Sequence, residues 1–174
     1  MILKGLKRNA IRKNIEAHLG KRQAGSQSIS SLKTLAVLID ASQSINIVSL
    51  LKLANELGVE SERLKVIGYK ENQKELDEDE EAAYYGNKSF GVSGVIKSKS
   101  LKEFVNEDYD VLINFYEEDL IELNYVAAAS KAKFKVGFST VDNRINDLII
   151  GATTNDTNLF IAELKKYLKI LQII

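Results

Sequence analysis

The chain of 174 residues carries 45% hydrophobic and 28% charged side chains, 24 basic against 24 acidic, with one histidine and neither cysteine nor proline. Such a composition supports one compact domain with its own core and excludes a disordered chain. Lack of cysteine excludes disulfides, thiol nucleophiles and thiolate metal sites, and lack of proline removes slow prolyl isomerisation from folding.

The balanced charge hides an asymmetry. Lys4, Lys7, Arg8, Arg12, Lys13, Lys21 and Arg22 stand against Glu16 alone in the first twenty-five residues, a local charge of +6, and the remaining 17 basic and 23 acidic residues sum to −6. A basic arm over residues 1–25 and a single α/β domain over 26–174 are therefore expected. An excess of this kind suits an anionic partner such as nucleic acid, a ribonucleoprotein or an anionic membrane surface, or a protein partner. No apolar stretch follows the basic start as a secretory signal requires, and the apolar runs fall far short of the ~20 residues of a bilayer span, so a cytoplasmic location is expected.

In chain order, residues 2–22 read as a helix with two apolar sets: Leu3, Leu6 and Ala10, then Ile11, Ile15, His18 and Leu19. The sets lie about 120° apart around the axis, so the helix bends, breaks, or packs one half on the body and leaves the other for a partner. Residues 23–31 form a polar linker. Leu35–Ile39 is an uninterrupted apolar run of the type buried on both faces of a parallel sheet. Ser42 or Ser44 then caps a helix through Ile47, Leu50, Leu51, Ala54 and Leu57, closed by Gly58. Leu64–Tyr69 is a second strand, and Glu71–Glu81, with seven acids and one lysine, reads as an exposed loop.

Ser89–Ile96 is expected as a short edge strand and Leu101–Val105 as a small helix. Tyr109–Tyr116 is a strong strand, Asp119 opens a helix, Lys135–Phe138 and Leu148–Ala152 add two strands, and Asp156 or Thr157 caps a final helix. Strands separated by helices imply right-handed crossovers, hence a Rossmann-like three-layer sandwich with a mostly parallel sheet of five to six strands. The long crossover over residues 70–108 suggests the order 3-2-1-4-5-6.

In such sheets ligands bind beyond the carboxyl ends of the strands. Asp40, Ser42, Ser44, Glu117, Asp142 and Arg144 fall there and are the ligand-binding candidates, although Ser and Asp also occupy such turns as caps. The first strand-to-helix turn lacks the glycines of a dinucleotide site. Gly86, Gly91 and Gly94 form no phosphate loop, because Val92 stands where the lysine is needed. His18, the one histidine, has no Ser/Asp pair near it in the pattern, which argues against a triad or a histidine metal site. No catalytic residue, cofactor or metal is assigned, and no aromatic residue interleaves with the arm's cations for base stacking.

Met1-Ile-Leu-Lys-Gly-Leu-Lys7, Asp108-Tyr-Asp-Val-Leu-Ile-Asn-Phe-Tyr116, Ala129-Ser-Lys-Ala-Lys-Phe-Lys-Val-Gly-Phe138 and Glu163-Leu-Lys-Lys-Tyr-Leu-Lys-Ile-Leu171 together resemble a bacterial family of uncharacterised single-domain proteins. The resemblance implies a bacterial cytoplasmic protein whose basic segment belongs to the domain. That family has no assigned activity, so it contributes no site residue. The leading functional expectation is a non-catalytic binding or interaction module that docks through its basic N-terminal helix. The alternative is a transferase-type enzyme taking a phosphorylated or nucleotide-like ligand at the strand ends.

Overall fold

The computed structural model describes residues 2–22, 29–43, 47–71 and 84–174. In chain order the elements are α1 (Ile2–Lys21), β1 (Leu35–Asp40), α2 (Ile47–Glu56), β2 (Leu64–Tyr69), β3 (Tyr84–Tyr85), α3 (Lys99–Asn106), β4 (Val111–Phe115), α4 (Ile121–Ala129), β5 (Phe134–Phe138), β6 (Leu148–Ile150) and α5 (Thr157–Ile170). Six strands form one parallel sheet in the order β3-β2-β1-β4-β5-β6. Most of the expected linker (residues 23–28), Ser44, and all of the acidic run except Glu71 lie outside the described residues.

Period-2 alternation divides each strand between two apolar layers. Ala36, Leu38, Ile67, Tyr69 and Leu112 face one layer, which α1, α3 and α4 cover. Leu35, Val37, Ile39, Val111, Ile113, Phe115, Val136 and Phe138 face the other, covered by α2 and α5. There Phe115, Phe138 and Phe160 form a closed ring triad with centroids 4.7–5.2 Å apart. The result is the Rossmann-like three-layer sandwich that the apolar runs imply. Two local signals act as read: Gly58 takes a left-handed φ of +77° after α2, and the Asp156 side chain accepts the Leu159 amide at the start of α5.

Two expectations need correction. Ser89–Ile96 is not a strand. A 3-10 turn over Asn87–Ser89 leads into a chain reversal closed by a single antiparallel bridge between Phe90 and Ile96. Gly94, at φ +73°, takes a conformation incompatible with an extended run. The third strand is instead the Tyr84–Tyr85 pair beside Gly68 and Tyr69. Nor does Asp119 cap α4; that position belongs to Leu120, and Asp119 accepts a hydrogen bond from the Asn124 carboxamide.

α1 packs by one half. Ile11 and Ile15 are buried in the layer above the sheet, with Leu19 against them, whereas Leu3 and Leu6 are 67% and 54% exposed. His18 is half-buried, its ring 5.8 Å from that of Tyr125. Among the described residues no helix is long and apolar enough to cross a membrane.

Candidate functional site

Three groups occupy the carboxyl rim. At the end of β1, Asp40 is buried; its Oδ1 accepts the Ser42 amide at 3.0 Å and the Ser42 hydroxyl at 2.7 Å, while its Oδ2 has no hydrogen-bond partner among the described residues. After β4, Glu117 accepts the amide (2.8 Å) and hydroxyl of Thr154, tying this loop to the one that follows β6. After β5, the Arg144 guanidinium is forked twice. Nε and Nη2 donate to Asp142, and Nη1 and Nη2 to Glu16 of α1 at 2.9 and 2.8 Å. Those bonds hold the carboxyls of Asp142 and Glu16 below their ordinary range and raise the pKa of Arg144 further. Among the described residues no hydrogen bond or ion pair joins the three groups. The rim cation best placed for an anion is thus committed to two carboxylates.

The α1 cations divide into two sets. Arg22 is used structurally: it donates to the Ile145 carbonyl and to Asp147, whose side chain is 5% exposed. Lys7 donates to the Asn87 carbonyl and lies 5.9 Å from the Phe90 ring centroid, and Arg8 stands 3.9 Å from Glu122. Arg8 and Arg12 also line a cleft with Glu16, Asp119 and Asp142, so one polyanion candidate pair meets one ligand candidate there. Lys4, Arg12, Lys13 and Lys21 are exposed and make no ion pair among the described residues; Arg12 only approaches the Asn9 carboxamide.

At the opposite end of the sheet lies a feature that the strand-end rule does not anticipate. His18, Lys21 and Arg22 from the end of α1 face Lys131 and Lys133, which lead into β5, and Lys135 within β5. They line a cavity of about 380 Å³, with Asp108 as the acidic contributor. Lys133 is partly neutralised by Asp110 at 2.6 Å. Burial opposes ionisation of Asp110, but Lys133 and the amides of Lys33 and Thr34 outweigh it and hold the carboxyl below its ordinary range. Lys135 is 1% exposed, and its Nζ donates to the carbonyls of Ala127 (2.6 Å) and Ala128 (3.2 Å), the free C-terminal carbonyls of α4.

Residues 7–171, from the second turn of α1 through α5, match a family of unknown function, DUF6913. The chain belongs to DUF6913. No curated protein and no solved structure matches it. The DUF6913 match takes in most of α1, in keeping with Ile11 and Ile15 lying in the core.

Within this DUF6913 fold Lys135 is a buried amine whose pKa falls to about 7, chiefly through burial and then through Arg22, with Asp147 opposing. Burial is also the main cause that lowers His18, followed by Lys135 and Lys21. An unfolded chain holds the Lys135 proton to near its ordinary 10.5, whereas the folded chain releases it near 7. Unfolding therefore takes up a proton between those values, and stability rises with pH there by up to about 1.4 kcal/mol per unit; below that window the contribution is flat and least favourable. Lys135→Met is expected to remove this slope. Urea midpoints of both proteins from pH 6.5 to 9.5 check it: the wild type should gain on the variant as pH rises, and parallel profiles would refute the assignment.

The sequence did offer one signal for the cavity. Lys131-Ala-Lys-Phe-Lys135 places a lysine inside the apolar run of β5, where a charge needs a specific partner. The partners themselves, Asp110, Asp147 and the α4 carbonyls, depend on the topology.

Proposed function

We propose that this protein is a non-catalytic binding module for an anionic partner, nucleic acid foremost, which docks through the basic helix α1. The supporting observation is that α1 is fixed to the body by Ile11 and Ile15 while Lys4, Arg12, Lys13 and Lys21 stay exposed without carboxylate partners among the described residues. A rigid helix holding unneutralised cations is preorganised for phosphate, since its placement costs no further ordering on binding. The strand-end rim supports a phosphorylated ligand less well. Arg144 is committed there to Asp142 and Glu16, and Asp119 lines the same cleft.

Deleting residues 1–25 would remove core residues, so charge reversal is the cleaner test. Anisotropy titrations of a short single-stranded RNA at 50 and 200 mM salt are expected to show affinity falling with salt. The Lys4→Glu/Arg12→Glu/Lys13→Glu variant should bind at least tenfold more weakly, with the log–log salt slope reduced by about 0.7 for each phosphate no longer neutralised. Salt-independent binding, or a variant indistinguishable from the wild type, would overturn the reading.

A further inference from the structure

We propose that the cavity between the end of α1 and the amino end of β5 binds a terminal phosphate group, the phosphomonoester of a nucleic-acid strand end or of a small phosphorylated molecule; this rests on the reading of the protein as a binder of anions and goes to a specific place in it. At about 380 Å³ the cavity lies within the range of small-molecule sites. Being concave, it admits the end of a molecule better than a strand running past. A phosphomonoester brings three acceptor oxygens and close to two negative charges, against one charge for an internal phosphodiester. Converging cations therefore discriminate in its favour.

The lining supplies those cations in layers. Lys21 and Lys131 stand at the mouth, exposed and without ion partners among the described residues. Arg22 and Lys133 stand behind them, each tied to one carboxylate, Asp147 and Asp110. The C-terminus of α4 would by itself repel an anion, because its free carbonyls carry the negative end of the helix dipole. Lys135 Nζ lies on the Ala127 and Ala128 carbonyls and screens them from the cavity. Among the described residues Asp108 is the one carboxylate on the lining, and it sets a limit on affinity.

A dianion here also alters proton binding. The groups facing it are His18, Lys21 and Arg22 of α1, Asp108, Lys131, Lys133 and Lys135, with Asp147 behind Arg22. Burial and the neighbouring cations bring Lys135 down to about 7 and lower His18 from its ordinary value. An incoming negative charge favours their protonated forms, so binding takes up protons near pH 7.

The experiment compares an RNA bearing a 5′-phosphate with the same RNA ending in a 5′-hydroxyl, together with adenosine monophosphate as the small probe. Proteins tested are the wild type, the surface variant Lys21→Glu/Lys131→Glu, and Lys4→Glu/Lys13→Glu as a control on α1. At least tenfold preference for the 5′-phosphate is expected, abolished in Lys21→Glu/Lys131→Glu and kept in Lys4→Glu/Lys13→Glu while overall affinity drops. Calorimetry in buffers of different ionisation enthalpy should show proton uptake. If the nucleotide binds in a Lys21/Lys131-dependent way and the RNA end confers no preference, the site stands and its source is a small molecule. If neither probe prefers the cavity while RNA binding stays salt-dependent, this inference is wrong and the docking reading survives. If neither RNA nor nucleotide binds, both fall.

Discussion

Arg22→Ala is expected to destabilise the protein by roughly 3–5 kcal/mol, the cost typical of removing one partner from a buried ion pair. Asp147 has little else to lean on. Its Oδ2 takes the Arg22 guanidinium and the Lys135 amide (2.8 Å), and its Oδ1 is buried with no hydrogen-bond partner among the described residues. Without Arg22 the carboxylate keeps its desolvation cost and loses its counter-ion. The Ile145 carbonyl loses its donor at the same time. Chemical denaturation measures the loss, and Arg22→Lys should recover part of it through the charge alone, because lysine lacks the planar fork. The pairing of Arg22→Ala with Asp147→Asn should cost less than the sum of the two single changes, since the stranded charge is then gone. Equal stability of Arg22→Ala and wild type would return Arg22 to the set of free cations.

The second large effect is expected at Gly94. A Cβ placed there would meet the Ile11 amide nitrogen at 2.7 Å and the Ala10 carbonyl carbon at 2.8 Å, and the residue sits at φ +73°. Left-handed backbone costs a non-glycine residue about 1–2 kcal/mol, and overpacking against backbone that cannot rotate aside adds about 1–3. The smaller unfolded-state gain of a glycine-to-alanine change offsets about 0.4–1 of this. Gly94→Ala should therefore lower stability by roughly 2–4 kcal/mol in denaturant titrations and lift α1 from the reversal at residues 91–95. Limited trypsin digestion reports the second effect, as cleavage after Lys7, Arg8, Arg12 or Lys13 should accelerate well beyond what global unfolding explains. Wild-type stability in Gly94→Ala would mean that α1 and the reversal do not touch in solution.

Much of the fold was legible because parallel strands buried on both faces leave unbroken apolar runs. Leu35–Ile39 shows this, Val111–Phe115 shows it with Asn114 as its one polar residue, and the helices between them show period 3.6. β3 was not legible, because a two-residue strand has no period to detect; Tyr84 and Tyr85 join the sheet because Gly68 leaves room for the Tyr84 ring. On α1 the two apolar sets were visible, but bending, breaking and one-sided packing all stayed open, and the structure takes the last. Its cations were visible as a count and not as roles. Whether Arg22 is free or consumed depends on Asp147, 125 positions away, and Glu16 finds Arg144 at a separation of 128. Such pairs are set by topology, which spacing along the chain does not encode. Asp40, Glu117 and Arg144 read as one rim because the strand-end rule groups them, yet each has partners of its own: Ser42, Thr154, and Asp142 with Glu16.

The docking of α1 has a bearing on biosynthesis. The helix is made before the segments it packs on: Ile11 and Ile15 meet α4, and Arg22 meets Asp147, only once those later segments exist. At about 5–20 residues per second, the ribosome takes roughly 6–25 s to bridge that interval. Throughout it the nascent chain presents its most cationic helix, apolar stripe included, to whatever surrounds the exit tunnel.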